Sequence, residues 1–180
     1  MLTIIIPATE SFDENTEEFI TTDEQTLQLE HSLVSISKWE SKWCKPFLSS
    51  KDMTNEETLD YIKCMTLTEN VDPKVYTHLT ASNIDEINAY ISAPMTATTF
   101  SKDKAGKNNK EIITSELIYY WMFSLNIPME CENWHLNRLL TVVRVCNVKN
   151  APPKKTSMQE RLTSNAQLNA ERRKLLNSKG

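Results

Sequence analysis

Apolar residues recur along the chain with periods that change several times. Leu2-Thr3-Ile4-Ile5-Ile6 is β-branched and predicts a strand. Thr26-Leu27-Gln28-Leu29-Glu30 alternates with period two and predicts a second strand. Between them, residues 8–25 are acidic and carry only scattered apolar points such as Phe12 and Phe19, which reads as a loop or long excursion. The two strands are expected to pair as a small antiparallel ribbon that leans on helices, because a two-stranded ribbon is marginal alone.

The period then becomes helical. Ser32 is placed to cap a helix reaching Trp43, with Leu33, Ile36, Trp39 and Trp43 on one face and Pro46 beyond its end. Glu40 falls on that face. A core does not accept an unpaired carboxylate, so it should meet a cation, Arg138 or Arg144, or the face is not fully internal. Thr54-Asn55-Glu56-Glu57 is a capping box opening a helix with Leu59, Ile62 and Met65 inside. Asp72-Pro73 starts a short helix, and Ser82-Asn83-Ile84-Asp85 another, with Ile84, Ile87 and Ile91 inside and Pro94 closing it. Residues 95–100 are Thr-rich and extended in expectation, and residues 102–110 form a mobile polar loop.

Two stronger helical stretches follow. Residues 111–126 are apolar nearly all round, which predicts a central helix whose Tyr119, Tyr120, Trp121 and Phe123 pack in the core. Ile127-Pro128 breaks it. Residues 130–148 then place Leu136, Leu139, Leu140, Val143 and Cys146 on one face, opposite Asn137, Arg138, Thr141 and Arg144. The two are expected to form an antiparallel hairpin. Pro152-Pro153 separates a domain of residues 1–150 from a helix-capable tail, residues 151–180, whose apolar stripe is too thin to hold it against a core. The fold class is thus mainly α: a helical bundle with a small N-terminal β ribbon and a flexible basic C-terminal helix.

Composition narrows the chemistry. Only two of 180 residues are Gly, which argues against Gly-rich phosphate loops and against an all-β fold. The four cysteines lie apart, with no CxxC, and no export signal or spanning segment precedes them, so they read as reduced thiols in a chain without a membrane segment. Cys131 and His135, spaced i, i+4, form at most half a zinc site, with Cys64 and Cys146 the only further thiol donors weighed. No hydrolase elbow, zincin motif, Walker loop or dinucleotide fingerprint occurs. No cofactor, metal or catalytic residue is assigned, and the chain reads as a binding protein rather than an enzyme.

Charge is unevenly spread. Residues 1–30 hold eight acidic and no Lys or Arg residues, while residues 149–180 hold eight basic against two acidic. The basic set includes Lys154, Lys155, Arg161, Arg172, Arg173 and Lys174. Such a tail can meet phosphates, but it lacks an aromatic stacking platform and belongs to an otherwise acidic chain, so nucleic acid is disfavoured as the partner. Partner contact is expected instead at Trp39, Trp43 and Trp134, with Arg138 at i+4 laying its guanidinium on the Trp134 indole.

The segments Ile36-Ser37-Lys38-Trp39-Glu40-Ser41-Lys42-Trp43-Cys44-Lys45-Pro46-Phe47-Leu48 and Trp134-His135-Leu136-Asn137-Arg138-Leu139-Leu140 carry a resemblance. With Glu116-Leu117-Ile118-Tyr119-Tyr120-Trp121 between them and Glu171-Arg172-Arg173 in the tail, the sequence resembles tail assembly chaperone proteins of long-tailed bacteriophages. The resemblance implies a host-cytoplasmic protein absent from the mature virion. It would bind the tape-measure protein, keep it soluble and promote tail-tube assembly. A frameshifted longer form would recruit tail-tube subunits, and self-association is left open. The alternatives are a tail-completion or connector protein of the virion and a nucleic-acid-binding regulator.

Overall fold

The computed structural model describes residues 1–13, 18–50, 52–100, 112–152 and 158–176. The chain divides into two compact units, Met1–Asn147 and Val148–Gly180. The expected loop at residues 102–110 and the tail cations Lys154, Lys155 and Lys179 lie outside the described residues.

The N-terminal ribbon forms as the sequence predicts. β1 (Leu2–Ile6) pairs antiparallel with β4 (Gln25–Leu29), Leu2 opposite Leu29 and Ile6 opposite Gln25. Alternation puts Ile4, Ile6, Leu27 and Leu29 in the core and leaves Ile5 outside. The segment between the strands corrects the loop expectation. β2 (Thr9–Asp13) and β3 (Glu18–Thr22) form a second antiparallel ribbon with Phe12 in register with Phe19. The charges at Glu10, Asp13 and Glu18 interrupt the apolar alternation that announces a strand in sequence.

Three helices brace the first ribbon. α1 (Leu33–Trp43) begins at Ser32, whose side chain accepts from Ser35 N–H at 3.2 Å. It ends at Cys44, two residues before Pro46, in a left-handed turn. α2 (Asn55–Met65) opens on the expected Thr54–Glu57 capping box. Its C-terminus meets the end of β4 through Glu30 N–H to Met65 O (2.9 Å) and Leu67 N–H to Gln28 O (2.8 Å). A 3-10 segment at Pro73–His78 follows its Asp72 cap, and α3 (Ala81–Ser92) starts from Thr80. The Asn83 side chain donates to Ile5 O at 3.1 Å, which ties α3 to β1.

α4 (Ser115–Ser124) is shorter than expected and is not the central helix. That position belongs to α1, on which α2, α4 and a 3-10 turn at Met129–Asn133 all pack. Leu33, Ile36 and Trp39 are completely buried there. The expected α4–α5 hairpin is therefore replaced by packing of α4 on α1. α5 (Leu136–Asn150) buries Leu136, Leu139 and Val143, and starts later than expected because Met129–Asn133 takes the tighter 3-10 path. In the second unit, α6 (Met158–Leu176) is helical, with Met158, Leu162, Leu168, Leu175 and Leu176 exposed. Among the described residues, no helix is long and apolar enough to cross a membrane.

Candidate functional site

The expected tryptophans separate into three environments. Trp39 is 0% exposed, and its indole N–H donates to Glu57 O at 3.0 Å. It is a core side chain and is withdrawn as a partner contact. The period-3.6 stripe that drew attention to it was the ordinary stripe of a buried helix. Trp43 is half-buried and donates from Nε1 to Asp60 Oδ2 at 2.9 Å. Lys42 and Lys45 stand 5.7 and 5.9 Å from its ring, held by ion pairs to Asp60 and Glu57. Burial works to raise the Asp60 carboxyl, but the Lys42 ammonium and the Trp43 indole outweigh it and leave the pKa lowered. Lys45 and the Thr54 backbone lower that of Glu57.

Glu40 resolves differently from either expectation. It is buried and meets neither arginine; it accepts from Phe47 N–H (2.8 Å), Ser115 N–H (2.7 Å) and the Ser115 hydroxyl. Oriented backbone donors do the work expected of a cation. The carboxylate thereby joins the end of α1 to the first turn of α4, where such a charge also suits the helix dipole.

Trp134 is half-buried, as Trp43 and Trp121 are, and packs against the core. It lies in the extended link between the 3-10 turn and α5 (φ −74°, ψ 160°), not on a helical face as the sequence suggested. Arg138 nevertheless reaches it: the guanidinium carbon is 4.1 Å from the ring centroid. The stack borders a groove of about 520 Å³ between α5 and residues 95–98, lined by Val142 and Val145 and by Thr96, Thr98 and Thr141. Asn137 fixes this wall by donating to Ile91 O (3.0 Å) and Ala93 O (2.8 Å) at the end of α3. Met95 takes φ 48°, unusual for a side chain with a γ-carbon, and turns the chain along the groove. Farther along α5, Arg144 stacks on Phe100 at 3.9 Å.

A second apolar surface was not anticipated. Tyr120 and Phe123, expected in the core, are each 63% exposed, whereas Ile118 and Met122 of the same helix are 0% exposed. A stretch apolar on every side gives no sequence signal for which side faces water. Tyr119 is half-buried and donates to Glu132 at 2.8 Å. Of the tail cations, Arg172, Arg173 and Lys174 are exposed on α6, and Arg161 lies in the same helix.

The half zinc site does not assemble. His135 Nε2 is 3.0 Å from Tyr90 O and its Nδ1 accepts from Asn137 N–H at 3.3 Å, so both ring nitrogens are occupied. Cys131 is buried in the preceding turn, and burial pushes its thiol pKa up. Among the described residues no three His, Cys, Asp or Glu side chains are grouped to hold a metal. The buried histidines form a structural knot instead. The His31 and His135 rings meet edge to face at 5.1 Å, His31 Nδ1 bonds the Tyr61 hydroxyl, and Tyr90 donates to Glu30 at 2.7 Å. Burial, with the neighbouring His135, brings the His31 pKa down to about 4 although Glu30 opposes the shift.

Comparison of the chain with protein families, with curated proteins and with solved structures gives no match.

Proposed function

We propose that this protein is a binding chaperone of phage tail assembly, which covers apolar segments of the tape-measure protein in the host cytoplasm and carries out no reaction. The observation that carries this reading is the Trp134–Arg138 groove. Its lining combines the valines Val142 and Val145, an aromatic side chain stacked with an arginine, and the threonines Thr96, Thr98 and Thr141. Aromatic and arginine side chains contribute disproportionately to protein–protein contacts, because they bring large area at small entropic cost. The exposed Tyr120 and Phe123 supply a second patch of the same character. Binding an unassembled client lowers its free concentration and so suppresses aggregation by mass action. Tube subunits could then polymerise around a client that has stayed soluble.

The test is co-expression with the long helical open reading frame expected beside this gene. The client should stay soluble and co-purify with the chain. Trp134→Ala should weaken retention about tenfold or more, the scale of a single interface anchor. A client that is equally soluble without the chain would remove the proposal. Stoichiometric recovery of the chain from purified virions would replace it with a structural role.

A further inference from the structure

We infer that the groove between α5 and residues 95–98 takes a carboxylate-bearing segment of the partner protein, anchored by Arg138 with Arg144 beyond it. The inference rests on the chaperone reading and deepens it by naming the chemistry of the bound segment.

The Arg138 guanidinium lies against Trp134, and both border the same groove. A partner that covers the indole must also take this cation out of water. Burying it without a counter-charge opposes binding, whereas a carboxylate in bidentate contact restores what water supplied. Among the described residues, neither Arg138 nor Arg144 has a carboxylate within ion-pair distance. Each guanidinium lies over a ring, Trp134 or Phe100, a contact that leaves its N–H groups without a carboxylate partner among the described residues. These are the only two arginines in residues 1–147. Six residues apart on α5, they are separated by about 9 Å of helix rise and about 120° of rotation, so Arg138 is the cation that lines the groove and Arg144 stands outside its lining.

The same charges argue against a nucleic acid. Residues 1–147 carry 12 Lys and Arg against 22 Asp and Glu, a net −10. That field repels a continuous phosphate polymer more strongly than a segment with isolated carboxylates, one of which the Arg138 guanidinium can meet beside Val142 and Val145. The backbone beside the groove adds a further handle. In residues 95–100 the described hydrogen bonding is limited to Thr98 N–H with the Thr96 hydroxyl, at 3.0 Å. Peptide groups there can pair with an incoming chain.

The experiment uses the full chain and an array of 15-residue peptides built from Leu, Val, Ala, Thr and Ser. These carry zero to four Glu residues, with matched Gln and Lys sets, and a 15-nucleotide oligo-dT serves as the phosphate probe. Retention should rise with Glu content, and the Gln and Lys sets should bind at least tenfold more weakly. Arg138→Gln combined with Arg144→Gln should abolish the preference for Glu, with tryptophan fluorescence and thermal melting confirming the fold. Arg138→Lys should restore little, because an ammonium neither stacks nor chelates as the guanidinium does. Equal binding of Glu and Gln peptides, lost in Trp134→Ala, would overturn the carboxylate anchor and leave the chaperone reading standing. Absence of binding by every peptide would overturn both. Tighter binding of oligo-dT than of any peptide would overturn the inference in favour of a phosphate ligand.

Discussion

At the residue scale, Glu40 shows how a buried charge is held without a salt bridge. Three donors from two separate segments converge on one carboxylate: Phe47 N–H, Ser115 N–H and the Ser115 hydroxyl. Glu40→Ala leaves all three unsatisfied in a buried setting, and a loss of about 2–4 kcal/mol is expected. Glu40→Gln should cost nearly as much, since its amide group would point a donor at a donor. Urea denaturation of the two variants checks both values. A negligible effect of either substitution would mean that water can reach the site. His31 gives the second expectation at this scale. Its pKa is about 4 in the fold against an ordinary 6.5, so between those values the unfolded chain binds more protons than the folded one. Stability is therefore fully present above about pH 6.5 and falls as pH drops toward 4, by up to about 3 kcal/mol. The lowered carboxyls of Glu57 and Asp60 add their losses only at lower pH, as pH falls from their ordinary values through their folded ones. Chemical denaturation at pH 7, 5.5 and 4.5 should show the slope, and His31→Gln should flatten it.

At the scale of elements, end signals were more legible than faces. The Thr54–Glu57 box, the Asp72-Pro73 start, the β-branched run within Leu2–Ile6 and the alternation that carries Leu27 and Leu29 are local chemistry, and each appears where the sequence put it. The orientation of α4 was hidden because Leu117, Tyr119, Tyr120, Trp121 and Phe123 are apolar in every direction; only packing on α1 decides which of them face water. Trp134 was misplaced on a helix because nothing local announces that Met129–Asn133 winds as 3-10. The contact with Arg138 survived the error, since an extended link and a helical turn both bring the residues within reach. The end of α1 carries an expectation of its own. Cys44 caps the helix at φ 50° and ψ 37°, donating its N–H to Glu40 O at 2.8 Å. A β-carbon is strained in this region, and glycine is the residue that helix ends prefer there. Cys44→Gly should therefore stabilise the protein by about 0.5–1 kcal/mol. A rise in melting temperature would show it; a fall would place a packing role on the Cys44 side chain.

At the scale of the whole molecule, packing density is unequally distributed, and that inequality is measurable. In Met1–Asn147, β4 and α1 lie side by side in sequence and contribute Leu27, Leu29, Leu33, Ile36 and Trp39, all 0% exposed. Their amides can exchange with solvent only by opening much of the unit. The β2–β3 ribbon is two-stranded, and its register sets Asp13 opposite Glu18, two like charges at one end. A two-stranded ribbon is marginal by itself. α6 is 19 residues long, and its five large apolar side chains are 47–85% exposed. Without a buried stripe, its helicity rests on local terms: backbone bonds and the favourable placement of Arg173 and Lys174 in its last turn. Hydrogen exchange at neutral pH should consequently find α1 and β4 protected at the level of global unfolding, and α6 and β2–β3 exchanging faster by orders of magnitude. Protection of α6 equal to that of α1 in the free protein would show that its leucines are covered in solution. If the chaperone reading holds, adding client should slow exchange first in α5 and residues 95–100, where the groove lies, and leave the α1 core unchanged.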